Sequence, residues 1–228
     1  MQLYNKDCME VIKDIPSNSI DLIVTDPPYP VTSRGNAGNS GGMLQSKEFM
    51  IGKVFTHNNI NCETYAPEFY RVLKDSSHCY VMCNHVNLIH MLNTFTQVGF
   101  KFVKSLIWNK GNKIMGHYYM SSFEYILFFR KGKGKMINHC GTADILSVPN
   151  RKTKGADGKN IHNTEKPIEL MKILIDNSSL TNEIILDPFM GVGSTGIAAK
   201  ELNRDFIGIE IDDNYFNIAK QRIESAYA

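Results

Sequence analysis

Ile20-Asp21-Leu22-Ile23-Val24-Thr25 runs directly into Asp26-Pro27-Pro28-Tyr29. The first six residues are mostly apolar and rich in β-branched side chains, which predicts a buried strand. The two prolines end it, because neither donates to a sheet ladder and each fixes φ at about −65°. An acid and an aromatic are thus held on a stiff turn at the carboxyl end of a strand, where open α/β sheets place their ligands. Such a turn can take a planar ring against Tyr29 and offer acceptors at Asp26 and the proline carbonyls. The plainer outcome for these four residues is a proline turn whose Asp caps a local N–H and whose Tyr packs on the core.

The second half of the chain supplies a partner for that turn. Glu183-Ile184-Ile185-Leu186-Asp187 reads as a short strand leading into Pro188-Phe189-Met190-Gly191-Val192-Gly193-Ser194-Thr195-Gly196. Ala198, Ala199, Lys200 and Glu201 then favour a helix. A strand, a glycine turn and a helix together let a ligand approach bare backbone, with N–H groups at the helix start aimed at it. Phe206-Ile207-Gly208-Ile209-Glu210-Ile211 is a further strand, and its acid is placed to accept from ribose hydroxyls. The glycine spacing differs from a dinucleotide fingerprint.

Together these segments resemble the S-adenosylmethionine-dependent amino-methyltransferases of DNA, which methylate exocyclic nitrogens of bases. Asp26-Pro27-Pro28-Tyr29 is similar to the family's catalytic motif, and Asp187, Phe189, Gly191, Gly193 and Thr195 stand in a similar cofactor turn. His162-Asn163-Thr164-Glu165-Lys166-Pro167 resembles the segment that precedes it, with Asn163 where the family has proline, and it adds Lys166 to the cofactor side. Asn5-Lys6-Asp7-Cys8 resembles the family's adenine-side contact, which points to Asp7 and Cys8. The catalytic motif precedes the cofactor turn, an order that resembles the beta class. The resemblance implies a Rossmann-like, mostly parallel α/β methyltransferase sheet with permuted motif order and a short target-recognition insertion. It also implies S-adenosylmethionine as cofactor, double-stranded DNA as substrate, a homodimer and a cognate restriction enzyme as partners. Asp at the head of the motif favours N6 of adenine. N4 of cytosine, a related methyl acceptor outside DNA bases, and a non-catalytic module binding DNA or cofactor are the alternatives.

Composition fits this class without selecting it. A chain of 228 residues, 43% hydrophobic, can bury a full core as one domain, 1–228. A net charge of +2 is too mild to argue for nucleic acid alone. Five cysteines without paired ligand spacing suggest reduced thiols, a cytoplasmic protein and no metal site. No apolar run reaches membrane-spanning length. Helical patterns cover 8–15, 67–73, 86–98, 168–175, 197–202 and 213–225, and strand patterns cover 1–4, 79–83, 100–108 and 123–129 besides those above. Residues 30–60 are rich in Gly, Asn and Ser and are expected to form a mobile loop near the site. Residues 130–162 are basic and stand where the beta class carries its target-recognition region. Arg130, Lys131, Arg151, Lys152 and Lys154 are therefore expected to contact DNA phosphates, the alternative being a solvated surface loop.

Overall fold

Strand β2 (Ile20–Thr25) sends Leu22 and Val24 to one face of its sheet and Ile23 to the other, and all three are fully buried. Burial on both faces requires a helical layer on each side. A computed structural model describes residues 1–28, 60–114, 118–154, 158 and 165–226 and contains both layers. Helices α1 (Cys8–Asp14), α2 (Cys62–Val72) and α3 (Leu88–Val98) cover one face. Helices α4 (Ile168–Ser178), α5 (Ser194–Glu201) and α6 (Asp213–Ser225) cover the other.

The remaining strands are β1 (Gln2–Tyr4), β3 (Leu73–Cys83), β4 (Lys101–Ile114), β5 (Ser121–Arg130), β6 (Ile145–Ser147), β7 (Ile184–Asp187) and β8 (Asp205–Ile209). Their spatial order is β1-β8-β7-β2-β3-β5-β4-β6. The first five in that order are mutually parallel, β5 is antiparallel to β3 and β4, and β6 runs parallel to β4. The first and last strands of the chain are neighbours, so the sheet cannot be divided at any point along the sequence.

Three elements depart from the sequence pattern. Helix α2 begins at Cys62 rather than 67, with Pro67 inside it. Proline removes one helical hydrogen bond, but Cys62, Tyr65, Ala66, Phe69 and Val72 bury a continuous apolar face that holds the helix together. Strand β3 starts at Leu73 rather than 79, because Lys74, Asp75 and Ser76 disguise its polar entry. Strand β6 has only three residues and is specified by its pairing to Trp108 and its neighbours. Gly99, by contrast, closes α3 at φ 119° as its position suggests.

Parallel pairing puts the carboxyl ends of β1, β8, β7, β2 and β3 along one edge of the sheet. On the antiparallel β5, Tyr125 pairs with Cys83 at that edge, whereas Arg130 pairs with His78 nearer the far end. Arg130 and Lys131, both expected on DNA phosphates, therefore lie toward the other end of the sheet from Asp26. Arg130 donates to the Gly132 carbonyl. Lys131 Nζ donates to the carbonyls of Tyr70 at 2.6 Å and Leu73 at 2.7 Å, and to Asn18 Oδ1 at 2.8 Å. It also sits 4.7 Å from the Tyr70 ring centroid. A cation on these last carbonyls neutralises the C-terminal end of α2. Among the described residues no helix is long and apolar enough to cross a membrane.

Lys131→Ala is expected to lower unfolding free energy by about 1–2 kcal/mol, the worth of charge-assisted bonds at a helix end. DNA affinity measured by anisotropy should not change. The opposite pattern, weaker DNA binding at unaltered stability, would return Lys131 to the DNA surface.

Candidate active site

The strand ends bring three groups of residues into line. On the outer side, Asn5 follows β1 and donates to the Glu210 carbonyl at 3.0 Å, while Glu210 N–H donates to the Tyr4 carbonyl at 3.0 Å. Asp7 is the N-cap of α1 and accepts from Met9 N–H at 2.7 Å, so one of its oxygens already serves the helix. Burial first, then the Asp7 charge, pushes the Cys8 thiol up to about 12, which leaves it a neutral apolar wall.

The glycine turn after β7 is held from that side. Gly191 has φ 53°, and a Cβ built there would meet nothing within 4 Å, so its backbone faces open space. Gly193 has φ 84°, and a Cβ there would come 3.0 Å from both Ala219 and Ile223, so the turn also packs closely on α6. Glu210 Oε2 accepts from Gly191 N–H at 2.9 Å and Oε1 accepts from Asp212 N–H at 2.8 Å. Burial raises the Glu210 carboxyl, against the backbone N–H groups that favour its charged form. Each oxygen keeps a second acceptor position. Phe189 packs on the core, its ring 5.4 Å from Tyr65 and 6.5 Å from Phe69.

Asp187 lies beneath this turn, and its carboxylate is committed to protein groups. Oδ1 accepts from Thr25 Oγ1 at 2.8 Å and Phe189 N–H at 3.1 Å, and Oδ2 accepts from Thr195 Oγ1 at 2.6 Å. At 3% exposure it is closed to solvent. The side chains of Asp187 and Thr195, both expected on the cofactor side, fasten β2, β7 and the start of α5 together. Burial pushes the Asp187 carboxyl up to about 6, with the Thr195 and Thr25 hydroxyls opposing.

Asp26 follows β2, one strand over. Its Oδ2 is hydrogen-bonded to Lys166 Nζ, and its Oδ1 is buried without a hydrogen-bond partner. Lys166 also lies 3.7 Å from Glu124 Oε2, and Lys110 donates to Glu124 Oε1 at 2.5 Å. Burial opposes the Lys166 charge, but Asp26 and Glu124 outweigh it and keep the ammonium protonated. Burial likewise opposes the Glu124 charge, and Lys166 and Lys110 outweigh it. For Asp26 burial wins, raising its carboxyl against the pull of Lys166, with Glu124 adding to the rise.

Two expectations change here. Lys166 sits on the Asp26 carboxylate rather than on the cofactor turn. Lys152 points inward, donating to the Glu165 carbonyl, and burial together with Lys166 lowers it to about 8. Arg151 and Lys154 are exposed. Tyr29, residues 30–59 of the expected loop, and 155–157 and 159–162 of the basic region lie outside the described residues.

Sequence reasoning missed Glu124, Lys110, Glu165 and Arg222. Arg222 donates to the Val192 carbonyl at 2.6 Å and pairs with Glu165 at 2.6 Å, which ties the cofactor turn to the Lys152–Thr153 loop. The only sequence signal for Glu124 is an acid inside the apolar strand Phe123–Phe129. Glu63 and His90 form an exposed ion pair at 3.1 Å, and with Cys62 they place ligand-type atoms within 4.8 Å of one another, a grouping that spacing along the chain conceals.

Residues 20–221 match the family model described as DNA methylase. Type II methyltransferase M.HinfI of Haemophilus influenzae is 31% identical over 238 residues, covering 95% of this chain and 66% of that protein. The chain thus spans about two thirds of M.HinfI's length. Type II methyltransferase M2.DpnII of Streptococcus pneumoniae is 30% identical over 250 residues, covering 99% of this chain and 90% of its own length. The crystal structure of the M1.HpyAVI-SAM complex has the same fold, with a TM-score of 0.69 and 26% identity over 97% of this chain and 98% of that one.

The raised Asp187 carboxyl has a stability consequence with a definite sign. Its folded pKa of about 6 exceeds the ordinary carboxylate value of 3.8, so its contribution is fully present below that value and is lost as pH rises through 6. Relative to Asp187→Asn, which cannot ionise, wild-type stability should fall by about 2 kcal/mol between about pH 4 and pH 7. Urea unfolding at both pH values checks this. Parallel pH dependence in the two proteins would show that Asp187 titrates normally.

Proposed function

This chain belongs to the DNA methylase family, and we propose that it methylates N6 of adenine in duplex DNA, with S-adenosylmethionine as cofactor. The observation that carries this reading is the divided Asp26 carboxylate, one oxygen held by Lys166 and the other buried and unpartnered at a sheet edge beside an open glycine turn. An orphaned buried acceptor costs free energy unless a donor arrives, and an exocyclic amino group is such a donor.

S-adenosylmethionine, when bound, supplies an electrophilic sulfonium methyl. Glu210 and the backbone at Gly191 and Gly193 would hold it, with Phe189 beneath and Asp7 and Cys8 at the outer end; the open space at Gly191 and the unused acceptor positions of Glu210 fit such a molecule. Asp26 Oδ1 accepts one amino hydrogen of the target base, and the Pro27 carbonyl accepts the other. Holding both hydrogens directs the nitrogen lone pair out of the ring, and the two acceptors stabilise the positive charge that develops on nitrogen. Once the nitrogen is methylated, the surplus amino proton passes to Asp26. The raised Asp26 carboxyl makes it a better base for that proton.

The base must leave the duplex to reach this edge, at a cost of a few kcal/mol. Tyr29 is proposed to stack on it, recovering roughly 1–3 kcal/mol. Arg151 and Lys154 are the exposed cations proposed to meet phosphates. Asp26, in place of Ser at the head of the motif, supports adenine over cytosine.

Transfer of labelled methyl to DNA, followed by nucleoside mass spectrometry, should yield N6-methyladenine. N4-methylcytosine would move the target base, and unlabelled DNA would overturn the reading. Asp26→Ala should abolish transfer while cofactor affinity stays within a few-fold, since Lys166 keeps Glu124 as partner. Glu210→Ala should weaken cofactor binding by about 1–3 kcal/mol in calorimetry, the cost of unpaired polar groups. Loss of cofactor affinity in the Asp26 variant as severe as in the Glu210 variant would contradict the division of roles.

A further inference from the structure

Asp26, Lys166, Glu124 and Lys110 form a line of alternating charges that starts at the proposed acceptor and runs away from it along the amino end of β5 and the late part of β4. Lys110 is 6% exposed and lies 5.2 Å from the Trp108 ring centroid, so the far end of the line is packed and not free in water. The line poses a chemical problem. A lysine ammonium bonded to Asp26 stands close to the place where the amino nitrogen becomes positive, and like charges there oppose transfer. By itself, Lys166 would cancel most of the benefit of the Asp26 charge.

We propose that Glu124 is a positioning residue for methyl transfer. Its carboxylate offsets the charge of the Lys166 ammonium and keeps Asp26 with one oxygen held and one free, so that the charge nearest the amino nitrogen is that of Asp26. This inference rests on the functional reading above and deepens it. Glu124 is suited to the task because Lys110 anchors its other oxygen at 2.5 Å, which holds the carboxylate beside Lys166. Its remaining oxygen, Oε2, is buried and faces the Lys166 ammonium at 3.7 Å, a longer and weaker contact than the one Lys166 makes to Asp26. That geometry lets the strong Lys166 bond go to Asp26 Oδ2 and leaves Oδ1 for the base.

The test uses the full-length protein with DNA and S-adenosylmethionine. Glu124→Gln keeps the shape of the side chain and an acceptor for Lys110 but removes the charge. Turnover should fall roughly ten- to a hundredfold, while KM for DNA and cofactor affinity by calorimetry stay within about threefold. The acid limb of the pH–rate profile should move to lower pH, because a negative charge that raises the Asp26 carboxyl has gone. Among the described residues, the groups besides Glu124 that face Asp26 are Lys166, Lys152, Asp187 and Cys83, and all of them are unchanged in the variant. Glu124→Asp, which restores the charge on a shorter arm, should recover part of the turnover and return the acid limb toward wild type, and it replaces the Gln variant should that one not fold.

Wild-type turnover and an unshifted profile in Glu124→Gln would overturn the inference and leave the functional reading intact. A fall in turnover matched by equal losses in DNA and cofactor binding would also overturn it, assigning Glu124 to folding alone. Wild-type protein that transfers no methyl to DNA would overturn the functional reading, and the inference with it.

Discussion

Thr25 and Thr195 donate to the two oxygens of one buried carboxylate, Asp187, and the site depends on that junction. Thr25 is the last residue of β2 and Asp26 is the next, while Thr195 opens α5 directly after the glycine turn. A single acid thus sets the spacing between the proposed acceptor of the base amino group and the proposed cradle of the cofactor. The parallel pairing of Leu22 with Ile185 and of Ile23 with Leu186 supplies the frame, and the carboxylate fixes the two strand ends against each other.

From this junction the charges spread outward with alternating sign. Asp187 is closed in and drifts toward its neutral form, whereas Asp26 is given a cation and one open oxygen. Two acids on adjacent strand ends therefore come to different uses through their surroundings alone. Burial penalises charge in both. What separates them is the partner: hydroxyls and a backbone N–H for one, an ammonium for the other. Glu165 and Arg222 do comparable work farther along, tying the loop after β6 to the glycine turn.

Much of this was legible along the chain. The proline pair after an apolar run marked the end of β2, and the glycines at 191 and 193 marked the turn, because positive φ and close packing leave few other choices. Helix α6 was readable to its ends from its caps and period. Pro67, Lys74–Ser76 and the three residues of β6 misled, since local preference there yields to burial and pairing that the neighbours impose. Three lysines show what a sequence leaves undecided. Lys131, Lys152 and Lys166 are alike in a sequence, yet one caps a helix at the far edge, one is drawn inward by a carbonyl, and one pairs with Asp26.

Sequence alone thus determined the fold class, the family resemblance, and the identities of the acid, the turn and the strand-end Glu210, because each is written in a run of adjacent residues with a fixed backbone requirement. Tertiary structure alone decided what each charge faces. Glu124 lies 98 residues from Asp26 in the chain and meets it only through Lys166, 140 residues from Asp26. Ion pairing and desolvation depend on distances in space and on who shares a cavity, and neither quantity is encoded in the order of residues along a strand.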